Sequence, residues 1–575
     1  MSPSAQVVGV AGDSEQFIWF LRWTAWALTH HHNPFITTAI DYPSGVNVLW
    51  NTSVIAPGLV LAPLTLWQGP VVSYNVLVTL SLSFSAWCAL LAFRRLGGGM
   101  VGSALGGLLY GFSPYMAAQS LGHPHLTAAF VPPLVLTLCP IIPRRPLLAG
   151  AALGLLGAVQ LLTSEEILAT LFLGAVVGSV AAALLFPGGP RRALRAVGGR
   201  RLLKAGASAA CTFGVLAFWP LAVQFAGPNR VDGALHPADL FSTDLLNLIV
   251  PTSTQWIAPS FLTLIGGHFA GNLSEQDAYL GVPLLLLCVL AAAVLVIRRR
   301  RIVSWALLTA GAIVVLSLGP TLRVGGRQTG VPLPWAVVER LPLLGHVLPG
   351  RFFVYVYLLA GLVVALTVDK FLCSLGAVRL LGLGGVVLAL LPLVPQPSYP
   401  TAAVTVPPFF REGGAVARIP RGSVVVVAPF SALSPYDGRV YTASMLWQAV
   451  AGLPFVMPEG YAFVPHRNGG GTALAPPPSV LQDAVLRVQG GNTLAMLSHR
   501  TLDRMRRDLR TWRVRTVVVG PMAYGDRIVA LFTRLLGRPP RKTGGVAVWW
   551  NVAPRSANMM RGPLHRSRRR VEERA

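Results

Sequence analysis

The chain has 575 residues, of which 53% are hydrophobic and only 12% charged, and 47 Lys and Arg against 21 Asp and Glu give it a formal net charge of +26. Soluble chains carry roughly 25% charged residues, so this composition excludes an ordinary soluble enzyme. The Arg residues cluster between apolar runs, as cytoplasmic loops of a multi-pass membrane protein do, and nucleic acid is excluded as the partner. The runs are rich in Leu, Val, Ala and Gly, which favours spanning helices over a barrel whose strands would alternate polar and apolar residues.

The first polar stretch, "AGDSEQFIWFLRWTAWALTHHHNPF", holds Asp13, Glu15 and His30 to His32. It reads as an interfacial helix with Phe17, Trp19, Phe20, Trp23 and Trp26 as anchors at headgroup depth, ended by Asn33-Pro34. "DYPSGVNVLWNTS", starting at Asp41, is a turn-rich loop. The stretch from Ser53 to Gln68, with Pro57 and Pro63, is short and reads as half-buried or re-entrant. About ten spans are predicted, over 70–93, 103–119, 122–142, 147–163, 166–186, 207–227, 282–297, 303–320, 351–373 and 379–397. Five Cys lie in or at the ends of these apolar runs, so no disulfide framework is expected.

The connections alternate in charge. One set holds Arg94, Arg95, Arg144, Arg145, a basic run from Arg191 to Lys204, Arg298 to Arg301, Lys370 and Arg379, and is assigned to the cytoplasm. The other holds Asp13, Glu15, Asp41, Glu165, Glu166, Asp232, Asp239, Asp244, Glu275, Asp277 and Glu339. This places Asp13 to His32 outside, with no signal peptide to translocate it, so a first span is expected to be missing from this sequence.

After Gln396 the character changes. "GSVVVVAPF", "VRTVVVGP" and "GVAVWWNV" read as short buried strands, and "TLAMLSHRTLDRMRRDLRTW" and "GDRIVALFTRLLG" as helices between them. The expected fold is a polytopic α-helical membrane protein with a C-terminal extracytoplasmic α/β domain. Its parts are an outer loop with a juxtamembrane helix (1–53), a multi-span domain (54–397), the α/β domain (398–560) and a basic disordered tail (561–575) able to touch anionic lipid.

An acid in an outer loop, an aromatic juxtamembrane helix, a Pro-rich loop, many spans and an outer C-terminal domain together resemble the GT-C superfamily of membrane glycosyltransferases. "GDSEQFIWFLRW", "DYPSGVNVLWN", "YGFSPYMAAQSLGH" and "LPGRFFVYVYLL" are similar to a bacterial, largely actinobacterial-type branch. The resemblance implies an inverting transfer of sugar from a polyprenyl-phosphate donor to a cell-envelope glycan or lipid acceptor. It implies a site on the outer face of the bacterial plasma membrane, with membrane lipids as further partners. The alternative is a non-catalytic or transport protein handling lipid-linked glycans, which would place charge near the bilayer midplane.

The resemblance makes Asp13 the general base, whereas an Asp at a helix start also serves as an N-cap. Glu165 and Glu166 are candidates for a second acid, a metal ligand or an acceptor contact, or are acids at a helix start capped by Thr163 or Ser164. His123 and His125, with His30 to His32, are candidates for a metal site beside carboxylates, or for polar packing or phosphate contact. Arg351 enters a span from outside, either to grip the carrier phosphate or to snorkel. Glu275, Asp277 and Tyr279 are candidates for the sugar pocket. Tyr461, His466 and Arg467 either face an acceptor glycan or form a plain surface loop. No P-loop, GxGxxG before a helix or HExxH occurs, so no soluble nucleotide cofactor is expected and a divalent metal is the one candidate cofactor.

Overall fold

The computed structural model describes residues 3–185, 198–231, 241–295, 297–341, 344–465, 472–474, 477–493 and 498–552. Six described helices are long and apolar enough to cross a membrane: Pro70–Arg95, Pro124–Ile141, Glu165–Leu185, Gly199–Ala226, Pro349–Leu372 and Gly376–Leu393. Four more are apolar but shorter: Ile55–Gln68, Pro146–Leu161, Val282–Ala293 and Arg301–Ser317. The shortfall from about ten full spans has local causes. The run expected to span over 103–119 is two helices, Met100–Gly111 and Pro114–Gln119. Ser113 breaks it by accepting from the Met116 N–H, with Pro114 at the first helical position, where its missing N–H costs nothing. A 12-residue helix covers only about 18 Å of a roughly 30 Å hydrocarbon core.

The helix Phe353–Leu372 is apolar all round and buried on nearly every side, the pattern of a helix at the centre of a bundle. Met100–Gly111 presses against it backbone to backbone. A Cβ on Gly102 would stand 2.2 Å from the Ala365 carbonyl oxygen, and one on Gly106 2.2 Å from that of Gly361. Small residues at such a crossing allow close van der Waals packing where no hydrophobic drive operates. Trp67, Phe172, Phe218 and Leu380 instead face outward, as side chains that meet lipid do.

The C-terminal part carries a four-stranded sheet in the order Arg541–Thr543, Val546–Trp550, Thr516–Val519, Val425–Ala428. The last two strands are parallel and the others antiparallel. These include the three Val-rich runs read as strands, and their residues are almost all buried. His499–Thr511 and Gly525–Leu536 are the two expected helices. A further helix, Val480–Gln489, opens with a reciprocal capping box between Ser479 and Gln482.

The N-terminal segment and this domain are sewn together. Gln6–Val8 pairs antiparallel with Thr401–Ala403. From the helix Asp13–Thr29, the Trp19 indole donates to Gln448 Oε1 at 2.6 Å and Arg22 Nε to the Ala449 carbonyl at 3.0 Å. This corrects one expectation. Phe17, Trp19, Phe20 and Trp23 are not headgroup anchors; they are buried in protein core, with Trp26 packed against it. An aromatic stripe fits a lipid interface and an apolar protein surface equally well, and here the surface is protein.

Candidate functional site

The first helix begins at Asp13, and its N-cap is Gly12, with φ 102°. Asp13 therefore does not cap. Its carboxylate turns away, accepting from the Tyr461 hydroxyl at 3.2 Å through Oδ1 and lying 3.3 Å from His123 Nε2 through Oδ2. The next turn secures the C-terminal domain: Glu15 accepts from Thr442 Oγ1, and Gln16 Nε2 donates to the Tyr461 carbonyl at 2.7 Å. Burial pushes the Asp13 carboxyl up, but His123, Tyr461 and the Arg351 charge together hold it below the usual carboxylate range. The side chain keeps 34% exposure, so it is reachable.

His123 is the hinge of the cluster. It sits just before the helix Pro124–Thr127, and its Nδ1 lies 2.7 Å from Gln119 Oε1 and 3.8 Å from Glu275 Oε1. Gln119 Nε2 in turn donates to Asp277 Oδ2 at 2.8 Å and reaches Glu275 Oε2 at 3.4 Å. Arg351 closes the far side. It donates from Nη2 to Glu275 Oε1 at 2.8 Å and from Nη1 to Glu166. Glu166 also accepts from the Leu348 N–H at 2.9 Å. A continuous polar chain thus runs Tyr461, Asp13, His123, Gln119, Glu275, Arg351, Glu166. It crosses the C-terminal domain, the first helix and the starts of several apolar helices.

Electrostatics separate the two inner acids. Burial raises the Glu275 carboxyl, but the Arg351 guanidinium outweighs it and leaves it below the usual range. Asp277 is pushed well above that range by burial, with the charge of Glu275 adding to it. Its Oδ1 is buried without a hydrogen-bond partner among the described residues, as is the Tyr115 hydroxyl.

Of the residues singled out in the sequence, Asp13, Glu166, His123, Glu275, Asp277 and Arg351 stand in this one cluster. His125 adjoins it through its ring, 5.8 Å from that of His123 and stacked on Phe17 at 5.1 Å. Glu165 points elsewhere, to Gln224 Nε2 at 2.9 Å, while Ser164 caps its helix by accepting from Ile167 N–H at 3.4 Å. The Tyr279 carbonyl accepts from the Tyr357 hydroxyl at 2.5 Å, and the same hydroxyl reaches the Asp277 carbonyl at 3.4 Å. His30 and His32 stack on Trp26 at the opposite end of the first helix, about 24 Å away along a 17-residue helix. The five His therefore do not gather. Among the described residues, no group of three or more His, Cys, Asp and Glu could hold a metal ion. His466 and Arg467 lie outside the described residues.

Gln119 was not singled out in the sequence. Its signal was slight, a Gln one helical turn before His123 in an otherwise apolar run. Beside the cluster, Ala117, Leu121, Ser253, Thr254, Leu273, Gln396, Tyr399 and Pro400 line a small cavity of about 70 Å³. Gly122, next to its Leu121 wall, abuts Asp13: a Cβ there would stand 3.4 Å from the Asp13 Cβ.

A family model described as a domain of unknown function (DUF6311) matches residues 3–390. The chain belongs to this family. The match takes in every member of the cluster except Tyr461. A search of curated proteins gives no match. Among solved structures, the chain is similar to the Archaeoglobus fulgidus oligosaccharyltransferase complex with Zn and sulfate, at 12% identity and TM-score 0.48, over 93% of this chain and 66% of that one. It is similar to the same organism's oligosaccharyltransferase AglB in complex with an inhibitory peptide and a dolichol-phosphate, at 10% identity and TM-score 0.49, over 93% and 68%. It is also similar to ArnT from Cupriavidus metallidurans in the apo state, at 13% identity and TM-score 0.44, over 96% and 95%. The chain spans about two thirds of the length of the oligosaccharyltransferase. At these TM-scores the likenesses carry no assignment of activity.

Proposed function

We propose that the protein transfers a sugar from a polyprenyl-phosphate donor to a glycan or lipid acceptor at the outer face of the membrane, with Asp13 as general base. The observation that carries this reading is the Asp13 carboxylate: one-third exposed, fixed from two sides by His123 and Tyr461, and held by them below the usual carboxylate range. Such a group can take the proton of an acceptor hydroxyl as its oxygen attacks the anomeric carbon. The bond between that carbon and the phosphate oxygen breaks, and polyprenyl phosphate departs with the electron pair, inverting the centre.

Arg351 takes a different part from a phosphate grip. It is 13% exposed and its fork is divided between two carboxylates, so it acts as the positioning residue that fixes Glu275 and, through it, His123. Glu166 and Glu275 serve the same frame. The test is incorporation of radiolabel from a polyprenyl-phosphate sugar into lipid or glycan in membranes with and without the expressed protein. Label that depends on the protein supports the reading; equal label in both membranes sinks it.

A further inference from the structure

The loop that leads into the helix Val282–Val294 carries an apolar surface that the cluster does not use. From Leu245 to Ser274 the sequence holds no Asp, Glu, Lys or Arg. The stretch is nonetheless too interrupted to span, by Pro251, Pro259 and the pair Gly266-Gly267. Its helix, Ser260–Gly266, has 7 residues, about 10 Å against a roughly 30 Å hydrocarbon core. Phe261, Leu264 and Ile265 share one side of that helix by their spacing, and all three are exposed. Phe261 is 65% exposed, Leu264 70%, and Trp256, just before the helix, 58%; Ile257 is exposed as well. A helix on a water-facing surface would turn such residues inward.

The backbone joins this surface to the end of an apolar span. Gln255 pairs antiparallel with Pro395. Trp256 N–H donates to the Val394 carbonyl at 2.9 Å, and Gln396 N–H to the Thr254 carbonyl at 2.9 Å. Val387, Leu388, Leu391 and Val394 are exposed along the helix Gly376–Leu393 and just past it, so Trp256 and Ile257 continue that lipid-facing surface beyond the span. The helix satisfies its own backbone, with Thr263 N–H on the Pro259 carbonyl at 3.1 Å and Gly267 N–H on the Thr263 carbonyl at 2.9 Å, as contact with hydrocarbon requires. We propose that the face formed by Trp256, Phe261, Leu264 and Ile265 enters the bilayer leaflet nearest the C-terminal domain, with lipid acyl chains as its partner. An apolar helical face lying in the interface reaches about 5–10 Å into the boundary of headgroups and acyl chains, and an indole is favoured at headgroup depth. The same loop runs on to Glu275 and Asp277, with Gln276 Nε2 donating back to the Phe269 carbonyl at 3.2 Å. The anchor thus ties one arm of the cluster to the membrane surface. It is independent of the transfer reading, because its readout is depth in the bilayer.

The experiment places a nitroxide at Phe261→Cys, and separately at Leu264→Cys, in the full chain with its native cysteines replaced by Ala. The protein is reconstituted in vesicles of phosphatidylcholine and phosphatidylglycerol. Power-saturation EPR compares access by oxygen, which partitions into hydrocarbon, with access by a water-soluble nickel chelate. Both labels should favour oxygen, at a depth of about 5–10 Å, whereas a label at the exposed Asp503→Cys should favour nickel. A second measurement needs no substitution: the unaltered protein is irradiated in vesicles whose phospholipid carries a diazirine in its acyl chain. Adducts should fall on residues 256–265 as well as on the span 376–393. Labels at Phe261 and Leu264 that favour nickel as Asp503→Cys does overturn the proposal. So do labels that neither agent reaches, as a second copy or a partner protein would shield them, and adducts on the span with none on 256–265.

Discussion

Arg351→Met should be among the most destabilising single changes in the protein. The guanidinium is shared by Glu166 and Glu275, and the three side chains are only 13%, 12% and 3% exposed. Solvent screening is therefore slight. Removing one partner of a buried ion pair costs about 3–5 kcal/mol because it strands an uncompensated charge. Here two carboxylates are stranded at once, but each keeps a neutral donor, the Leu348 N–H for Glu166 and Gln119 for Glu275. The expected loss is thus about 3–5 kcal/mol rather than twice that. Neutralising the acids as well, in Arg351→Met with Glu166→Gln and Glu275→Gln, should restore stability to within about 1–2 kcal/mol of wild type. The assay is SDS-induced unfolding in mixed micelles followed by tryptophan fluorescence. A loss below about 1 kcal/mol for Arg351→Met, the size of an exposed ion pair, would refute the reasoning. So would a triple variant no more stable than the single one.

Asp277 should behave oppositely to Asp13 in pH titrations of stability. Its folded carboxyl is raised by burial and by Glu275, so its contribution is complete below the unfolded value and is lost as pH rises through the raised one. Asp277→Asn should fold normally and lose that decline with rising pH, measured by Tm against pH. Tyr461→Phe removes a hydrogen bond that helps hold Asp13 low, so the acid limb of the transfer pH profile should move to higher pH with Tm little changed. For topology, a cysteine at the exposed Asp503 should react with an impermeant maleimide in intact cells. The native, exposed Cys373, beside basic Lys370 and Arg379, should react only after lysis. Both are read in a chain whose other cysteines are replaced by Ala, and the reverse pattern would invert the proposed orientation.

The sequence exposed much of the cluster because ionisable side chains at the ends of apolar runs are expensive and stand out. Asp13, His123, Glu166, Glu275 and Arg351 were each visible for that reason. Their pairing was not, since it depends on bringing distant segments to one place. Gln119 escaped notice because a neutral amide carries no such cost signal. The three Val-rich strands of the C-terminal domain were readable from β-branched runs. The first helix was misread for a physical reason: Trp and Phe serve a lipid interface and a protein core alike, and only tertiary contacts with Gln448 and Ala449 distinguish them. The extended His series failed as one site because sequence proximity of His30 to His32 places them a full helix length from His123.

The account rests most heavily on Asp13 as the base, and Asp13→Asn tests it most directly. The change keeps the shape, and the amide can still accept from Tyr461, so folding and expression should match wild type. Transfer of radiolabelled sugar from the polyprenyl-phosphate donor in membranes should fall by about 100-fold or more, the usual contribution of a positioned base. A well-folded Asp13→Asn protein that transfers sugar at near wild-type rate would contradict the account.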